Sequence, residues 1–481
     1  MSSASSGSVV GMSSQVRAPQ TPFTADQFSK SATRARFEPP RFEWRSRACC
    51  AHTGFIKATR LGGGAVRINA SLLDLGMCVS STADLVSPLL VDHHRRTAYL
   101  ASRIGRAMGL DEVSLGRAVL AASLHDVGAL SLGERLDTLD FDTRSVEHAE
   151  PGYALLKEFE PFAEIAPIVR YHHVEWQGGL GAEHLGTPVP VESNVVYLAD
   201  RIAVLMDPTR EPAHQTREIS SAILESADKR FNPETVLGFV KAAREAPFWS
   251  GLAAEGHALE PFAELGLRVC RPVEVDLSSF SKMLAHIVDF RSRYTAAHST
   301  GVAASADVLA RVLGMTVRDV DSIRVAGHLH DLGKLAVPEA LIEKPSRLDH
   351  DESLVMMSHA YHTGRVLGAI SELAQVADWA SHHHERIDGS GYPDHLEGRD
   401  LALGARVVAV SDIFTALSED RSYRPALGRG RVLRSLKHMA KVRYVDGRVV
   451  EALSDCSEQV HAAREAAQER AREHRNQLVN A

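Results

Sequence analysis

Histidines and aspartates recur along this chain at matching separations, and that repetition restricts the fold more than any other feature. His93 and His125 lie 32 residues apart, and so do His298 and His330. Each second member opens a similar tetrapeptide, His125-Asp126-Val127-Gly128 and His330-Asp331-Leu332-Gly333. His148 and His172 are 24 residues apart, as are His359 and His383, and both lead into a His-His pair. From those pairs it is 28 residues from His172 to Asp200 and 29 from His383 to Asp412. The first copy precedes the second by 205 residues at His93 and His298. Chance does not readily supply two equal separations and a third within one residue, joined to the shared His-Asp-x-Gly tetrapeptide, so the economical explanation is two copies of one domain.

The copies read as helical. The run from Val91 to Leu110 repeats apolar residues every three or four positions and meets Gly109 where a cap belongs. A second helix over Ala118–Leu124 delivers His125 and Asp126. In the other copy a leading helix is expected from about Ser278 to Leu313, carrying His298 and stopped by Gly314. Thr316-Val317-Arg318-Asp319 resembles a capping box opening the helix that ends in His330 and Asp331. Strand-like alternation is scarce, and Val407–Val410 reads as a buried helix leading to Asp412. Four prolines interrupt the stretch from 207 to about 270. The final segment, Val449–Val479, reads as a solvated helix, with a coiled-coil arm as the alternative. The expected division is a disordered tail over 1–60, a helical domain over 61–206, an extension and linker over 207–272, a second domain over 273–445 and a helical tail over 446–481. The Ser- and Arg-rich start has the composition of a transit peptide, but its lack of an apolar periodic face favours a disordered tail.

Bulk properties exclude several classes. A net charge of −7 offers no global basic field for duplex nucleic acid. Five cysteines, with no C-x-x-C pair, build neither a disulfide framework nor a zinc ribbon and suit a reducing cytoplasm. No apolar run reaches the length of a membrane span. What remains is a site. His298, His330, Asp331, His359, His383, His384 and Asp412 come from at least four helical segments, each embedded in apolar surroundings where an unpaired polar group costs a few kcal/mol. Convergence on metal removes that cost, and the number of ligands suits two ions. Asp331 can bridge them, and two ions about 3.5–4 Å apart clamp the attacking and leaving oxygens of a phosphoryl displacement, with a bridging water as nucleophile. Imidazole and carboxylate without thiolate suit iron or manganese. Lys334, three residues after Asp331, shares its face if the helix persists and supplies a point charge for phosphate. Arg421 and Arg424 have the geometry to fork onto phosphate oxygens, although alone they also fit a solvated turn. Single histidines elsewhere, such as His328 and His362, read as ordinary core or surface residues.

These residues resemble a known family. His330-Asp331-Leu-Gly-Lys334, His359 and His383-His384-Glu385-Arg386-Ile387-Asp388-Gly389-Ser390-Gly391-Tyr392-Pro393 are similar to the HD-GYP phosphodiesterases, a branch of the HD phosphohydrolases, over about residues 280–430. The resemblance implies an all-α fold with two tandem HD-type domains, a bacterial source and hydrolysis of cyclic dinucleotides, chiefly cyclic di-GMP to pGpG and often to GMP. It implies metal ligands at His298, His330, Asp331, His359, His383, His384 and Asp412, and a catalytic role for Asp331 and Lys334. It also implies phosphate contacts from Lys334, Arg421 and Arg424, and substrate contacts around Gly391, Tyr392 and Pro393.

Some positions depart from the family pattern. Tyr294 stands where some members carry a glutamate that helps hold a third metal, so two ions are expected. Ile387 replaces a frequent tryptophan, and Thr415 a frequent second aspartate. The first copy resembles a degenerate one. It keeps His93, His125, Asp126, His148, His172, His173 and Asp200 as a candidate second metal site. It has Ala129 in place of the lysine and Trp176–Gly181 in place of the Gly-Tyr-Pro loop. Support or sensing is its expected role. The expected whole is a cytoplasmic enzyme with a cyclic-dinucleotide substrate, two divalent ions, no membrane or duplex partner, and a homodimer as an open option. Alternatives are a cyclic GMP-AMP or linear-nucleotide substrate, or an inactive signalling module.

Overall fold

The structure, a computed structural model, describes residues 67–84, 92–129, 147–207, 210–252, 262, 266–290, 297–420 and 425–479. The expected tail over 1–60, Tyr294, Arg421 and Arg424 lie outside these residues. The described residues are mostly helical, with two short strand pairs. In the first half, strand β1 (Arg67–Ser71) leads to α1 (Leu72–Asp84), α2 (His93–Met108), α3 (Glu112–Leu124), α4 (Ala149–Lys157) and α5 (Ala166–Arg170). A small hairpin of β2 (Glu183–His184) and β3 (Thr187–Pro188) precedes α6 (Val191–Leu205), α7 (Pro212–Glu225) and α8 (Pro233–Ala242). The second half repeats this order. Strand β4 (Pro272–Asp276) leads to α9 (Leu277–Phe290), α10 (His298–Val312), α11 (Val317–Leu329), α12 (His350–Leu367), α13 (Ala374–Ser381), α14 (Leu403–Leu417), α15 (Arg429–Lys441) and α16 (Gly447–Asp455). Helix α17 (Ser457–Val479) follows, with no helix of matching length among the described residues between 243 and 272.

Local chemistry sets the ends. Gly109 at φ 83° and Gly314 at φ 72° take the left-handed conformation that stops α2 and closes the turn after α10. The Asp111 side chain accepts from the backbone N–H of Val113 and Ser114, and Thr316 accepts from that of Asp319. Each such cap contributes about 1 kcal/mol. The full reciprocal box sits elsewhere, at Asp349 and Glu352 opening α12.

Three expectations need correction. The leading helix of the second half is two helices, because Ala297 at φ −150° and ψ 13° is not helical, so His298 opens α10 rather than lying mid-helix. Lys334 does not follow Asp331 along a persisting α-helix. Helix α11 ends at Leu329, and Lys334 lies in a 3₁₀ turn over Leu332–Ala336. The final segment is not a uniformly solvated helix: it breaks at Cys456, and Val460, Arg464 and Gln468 are buried as α17 packs on α10.

The halves are related by a local pseudo-twofold. Strands β1 and β4 pair antiparallel with Asn69 opposite Glu274, Arg67 opposite Asp276 and Ser71 opposite Pro272. Since Asn69 and Glu274 are themselves repeat equivalents, the axis passes between them. Helix α1 packs on α12 of the other half, and α9 packs on α4 in the reciprocal way. Phe280 of α9 is fully buried against Phe159 and Phe162, with ring centroids 5.4 and 6.4 Å away. His286 Nδ1 and Glu158 Oε2 meet at 3.0 Å across the same seam. Between 207 and 272, α8 packs on α2 and α7 on α6, as α16 packs on α10 and α15 on α14.

Candidate metal centre

The second-half site is assembled at helix ends. His330 caps α11 and His383 follows α13, while His359 faces inward from α12. In each ring Nδ1 lies against the carbonyl oxygen three residues earlier, at 2.9 Å for His330 and 2.6 Å for His359 and His383. A carbonyl only accepts, so Nδ1–H is the donor and Nε2 points inward, as a lone pair in His359 and His383, which burial keeps neutral. Gly333 lets two of these elements meet. A Cβ there would strike the His359 carbonyl, and the Gly333 N–H donates to Thr363 Oγ1 at 2.9 Å while that hydroxyl donates to the His330 carbonyl at 3.0 Å.

The inward atoms converge. His359 Nε2 and His383 Nε2 are 3.5 Å apart. Asp331 reaches both sides, with Oδ1 3.5 Å from His359 Nε2 and Oδ2 3.3 Å from His330 Nε2. His298 Nε2 lies 3.0 Å from Asp412 Oδ1. Three overlapping groups have ligand atoms close enough for one ion: His298 with His330 and Asp412, His359 with His383 and His384, and His330 with Asp331 and His383. Burial holds His359 down to about 4 and His384 to about 3, and pushes His383 well below the usual imidazole range. Burial alone would raise the Asp331 carboxyl, but His330 and Lys334 outweigh it and hold it well below the carboxylate range. Neutral imidazoles beside an ionised carboxylate are the protonation states that bind a cation. The buried Nε2 of His330 lacks a hydrogen-bond partner, and the lone pairs of His359 and His383 face each other. The residues present therefore fit divalent ions.

The loop after His384 closes one side. Gly391 packs so tightly on Glu385 and Arg386 that a Cβ would collide with their backbone. Buried Glu385 accepts from the N–H groups of Asp394 and Leu396 at 2.7 and 3.2 Å, tying down the chain beyond Pro393. The Tyr392 ring then sits 4.8 Å from His384 and 6.4 Å from His359. Burial raises the Tyr392 phenol, which stays protonated. Lys334, one-fifth exposed, places Nζ 2.6 Å from Asp331 Oδ2, because the 3₁₀ turn eclipses residues three apart. His382 is not among the converging rings; it is held between Asp378 and Asp394 at 2.9 and 3.0 Å. His328 is a satisfied core residue, 3.1 Å from Ser281 Oγ.

Sequence reasoning missed Glu419 and Gln468. Glu419 Oε2 lies 2.9 Å from His298 Nδ1, and Gln468 of α17 donates to its other oxygen and to the Ala297 carbonyl. Gly301 leaves the space that the Gln468 side chain fills. Neither residue had a local signal, since they reach the site from 121 and 170 positions after His298.

The first half builds a parallel cluster. His125 and His172 present Nδ1 to the carbonyls of Ala122 and Val169 at 2.9 and 2.6 Å. His93 Nε2 and His125 Nε2 are 3.3 Å apart, as are those of His148 and His172. Asp126, His148, His172 and His173 form one close set, and His93, His125 and Asp126 another. Asp200 is held by Arg201 at 2.9 and 2.6 Å.

Two HD-domain family models match, one over residues 278–449 and one over 90–205, together more than half of the chain. The chain belongs to the HD-domain family. Its second half is of the HD-GYP type, and its first is a degenerate HD copy. This tandem HD protein is 27% identical over 414 residues to the 3′3′-cGAMP-specific phosphodiesterase 1 of Vibrio cholerae, covering 82% of this chain and 93% of that one. It is 39% identical over 172 residues to a cyclic di-GMP phosphodiesterase response regulator of Xanthomonas campestris pv. campestris, covering 35% of this chain and 45% of that one. A crystal structure of a cyclic GMP-AMP specific phosphodiesterase of V. cholerae aligns with a TM-score of 0.57 at 22% identity, over 81% of this chain and 98% of that one, a likeness of fold. No helix among the described residues is long and apolar enough to cross a membrane.

Proposed function

We propose that the second half is a metal-dependent phosphodiesterase that opens a cyclic dinucleotide, with cyclic di-GMP to pGpG or GMP as the reading its loop supports. One observation carries it. Two imidazoles pinned by their Nδ1–H groups aim Nε2 lone pairs at each other 3.5 Å apart, next to the two-sided carboxylate of Asp331. Such an arrangement is stable when cations share the lone pairs. His298, His330, Asp331, His359, His383, His384 and Asp412 would hold two divalent ions, with iron or manganese suited to the ligand set. Bound there, the ions supply the Lewis acidity that lowers the barrier to attack of water on phosphorus.

The chain's own groups do the rest. Asp331 presents one oxygen to each side of the site. Lys334 is paired with Asp331 yet partly exposed, so its flexible stem can carry Nζ to a phosphate oxygen. Tyr392 offers a flat face and a protonated hydroxyl beside His384, and Gly391 and Pro393 fix its approach. Arg421 and Arg424 are proposed as further phosphate contacts. A second substrate, 3′3′-cGAMP, is favoured by the likeness that spans both halves and 93% of the V. cholerae relative.

The test is to incubate full-length protein loaded with Mn²⁺ with each cyclic dinucleotide separately and resolve the products by chromatography. Linear product from at least one, at rates that rank the two, is expected. Absence of product from both, with metal confirmed bound, overturns the reading in favour of a signalling module. Replacing His330 or Asp331 with alanine should lower turnover at least about a hundredfold, while His125→Ala leaves most of it. Equal losses contradict the assignment to the second half.

A further inference from the structure

We propose that Gln468 of α17 is a positioning residue for the metal centre, and that the C-terminal helix thereby sets the affinity of the ion position formed by His298, His330 and Asp412. The inference rests on the metal-centre reading of the second half. One face of α17 is buried at Val460, Arg464, Ala467, Gln468 and Ala471, at helical spacing, while Glu465, Glu469 and Arg470 are exposed. A valine and two alanines are ordinary members of such a stripe. Arg464 and Gln468 are not: they are 4% and 1% exposed, and polar groups so deeply buried are costly unless partnered.

The partners leave the amide one orientation. Arg464 Nη1 can only donate, and it lies 2.7 Å from Gln468 Oε1. Gln468 Nε2 then faces two groups that accept, the Ala297 carbonyl at 3.3 Å and Glu419 Oε1. Glu419 turns its other oxygen to His298 Nδ1 at 2.9 Å, and His298 Nε2 meets Asp412 Oδ1 at 3.0 Å. A continuous line of side chains thus runs from α17 to the metal position. It holds His298 at two points, since Ala297 is the non-helical residue just before α10 and Glu419 stands behind the ring. Gly301 on α10 leaves the slot for the amide: a Cβ there would fall 2.5 Å from Gln468 Nε2. The repeat offset of 205 puts Arg96, not glycine, at the equivalent position of the first half.

Glu419 lies just past the end of α14 at Leu417, and the Gln468 amide ties its carboxylate to α17. With the amide removed, the carboxylate keeps its charge but gains rotamer freedom, and the His298 ring gains it too. The other ion position is independent of this line. His359 and His383 are fixed by carbonyls of their own helices, at 2.6 Å each.

The experiment uses the full-length chain, stripped of metal and titrated with Mn²⁺ by calorimetry. Asp412→Ala first identifies the binding step that belongs to the His298 position. Gln468→Met keeps the length of the side chain but donates nothing. It should weaken that same step about tenfold, and leave the other steps and the metal-free melting temperature unchanged. Gly301→Ala displaces the amide from the α10 side and should reproduce the loss. In a Glu419→Ala background, where the line is already cut, adding Gln468→Met should change the affinity by less than about twofold. An unaltered step in Gln468→Met, a weakening shared by every step, a loss that tracks a lowered melt, or an additive effect in the Glu419→Ala background overturns the proposal. If Gly301→Ala does not fold, the Gln468→Met and Glu419→Ala results decide by themselves. A titration in which Asp412→Ala removes no step overturns the metal-centre reading as well.

Discussion

Glu419 takes the Nδ1 side of His298 and so aims Nε2 of that ring at Asp412 and the metal position. A carboxylate behind a metal-binding imidazole fixes its orientation and raises its basicity, and loss of such a partner costs about 10–100-fold in metal affinity. Glu419→Gln should weaken Mn²⁺ binding in the second half by about that factor while leaving the melt of the metal-free protein nearly unchanged. Titration calorimetry checks the first and a metal-free melt the second; unaltered affinity would remove Glu419 from the site. The ligand histidines were legible because polar residues repeated at fixed separations through apolar helices. Glu419, Gln468 and Arg201 were not, since a single acid, amide or guanidinium on a helix has the pattern of an ordinary surface residue until folding places it.

At the scale of elements, the seam between the halves rests on Phe280, fully buried between Phe159 and Phe162. Truncating a buried phenylalanine costs about 3–5 kcal/mol in lost transfer energy and cavity. Phe280→Ala should lower the denaturation midpoint accordingly, read by urea titration, and a change under about 1 kcal/mol would mean the seam is not well packed. Helix stops were readable from Gly109 and Gly314, and a start from Thr316, because each satisfies a backbone requirement locally. The break between α9 and α10 was not, because apolar periodicity continues across a non-helical Ala297. The β1–β4 pair was equally hidden. Five residues make too short an alternation to register, and their partners lie about 205 positions away.

Across the whole molecule the buried imidazoles set the response to acid. Burial holds His359 and His172 at about 4, and His328 and His384 at about 3. In the unfolded chain each titrates near 6.5. As pH falls below 6.5 the unfolded state takes up protons that the folded state refuses, so stability drops toward 4. Asp331, held low, adds a loss at still lower pH as its carboxyl protonates. His125 acts in the opposite sense. Burial would lower it, but Asp126 and Asp200 lift it to about 10, so its contribution is complete below 6.5 and fades as pH rises toward 10. The metal-free protein should show a urea midpoint that declines steadily from pH 7 to 4.5; a flat profile would contradict this burial pattern.

The pairing of β1 with β4 has a bearing on how the chain can be divided. Severed from its other half, each fragment would carry a bare strand whose backbone donors and acceptors had lost their complement. Because the register centres on equivalent residues, the readiest replacement is the same strand of an identical fragment. An isolated half should thus be recovered as a self-associated pair or an aggregate, and work on the catalytic chemistry is better served by the intact polypeptide.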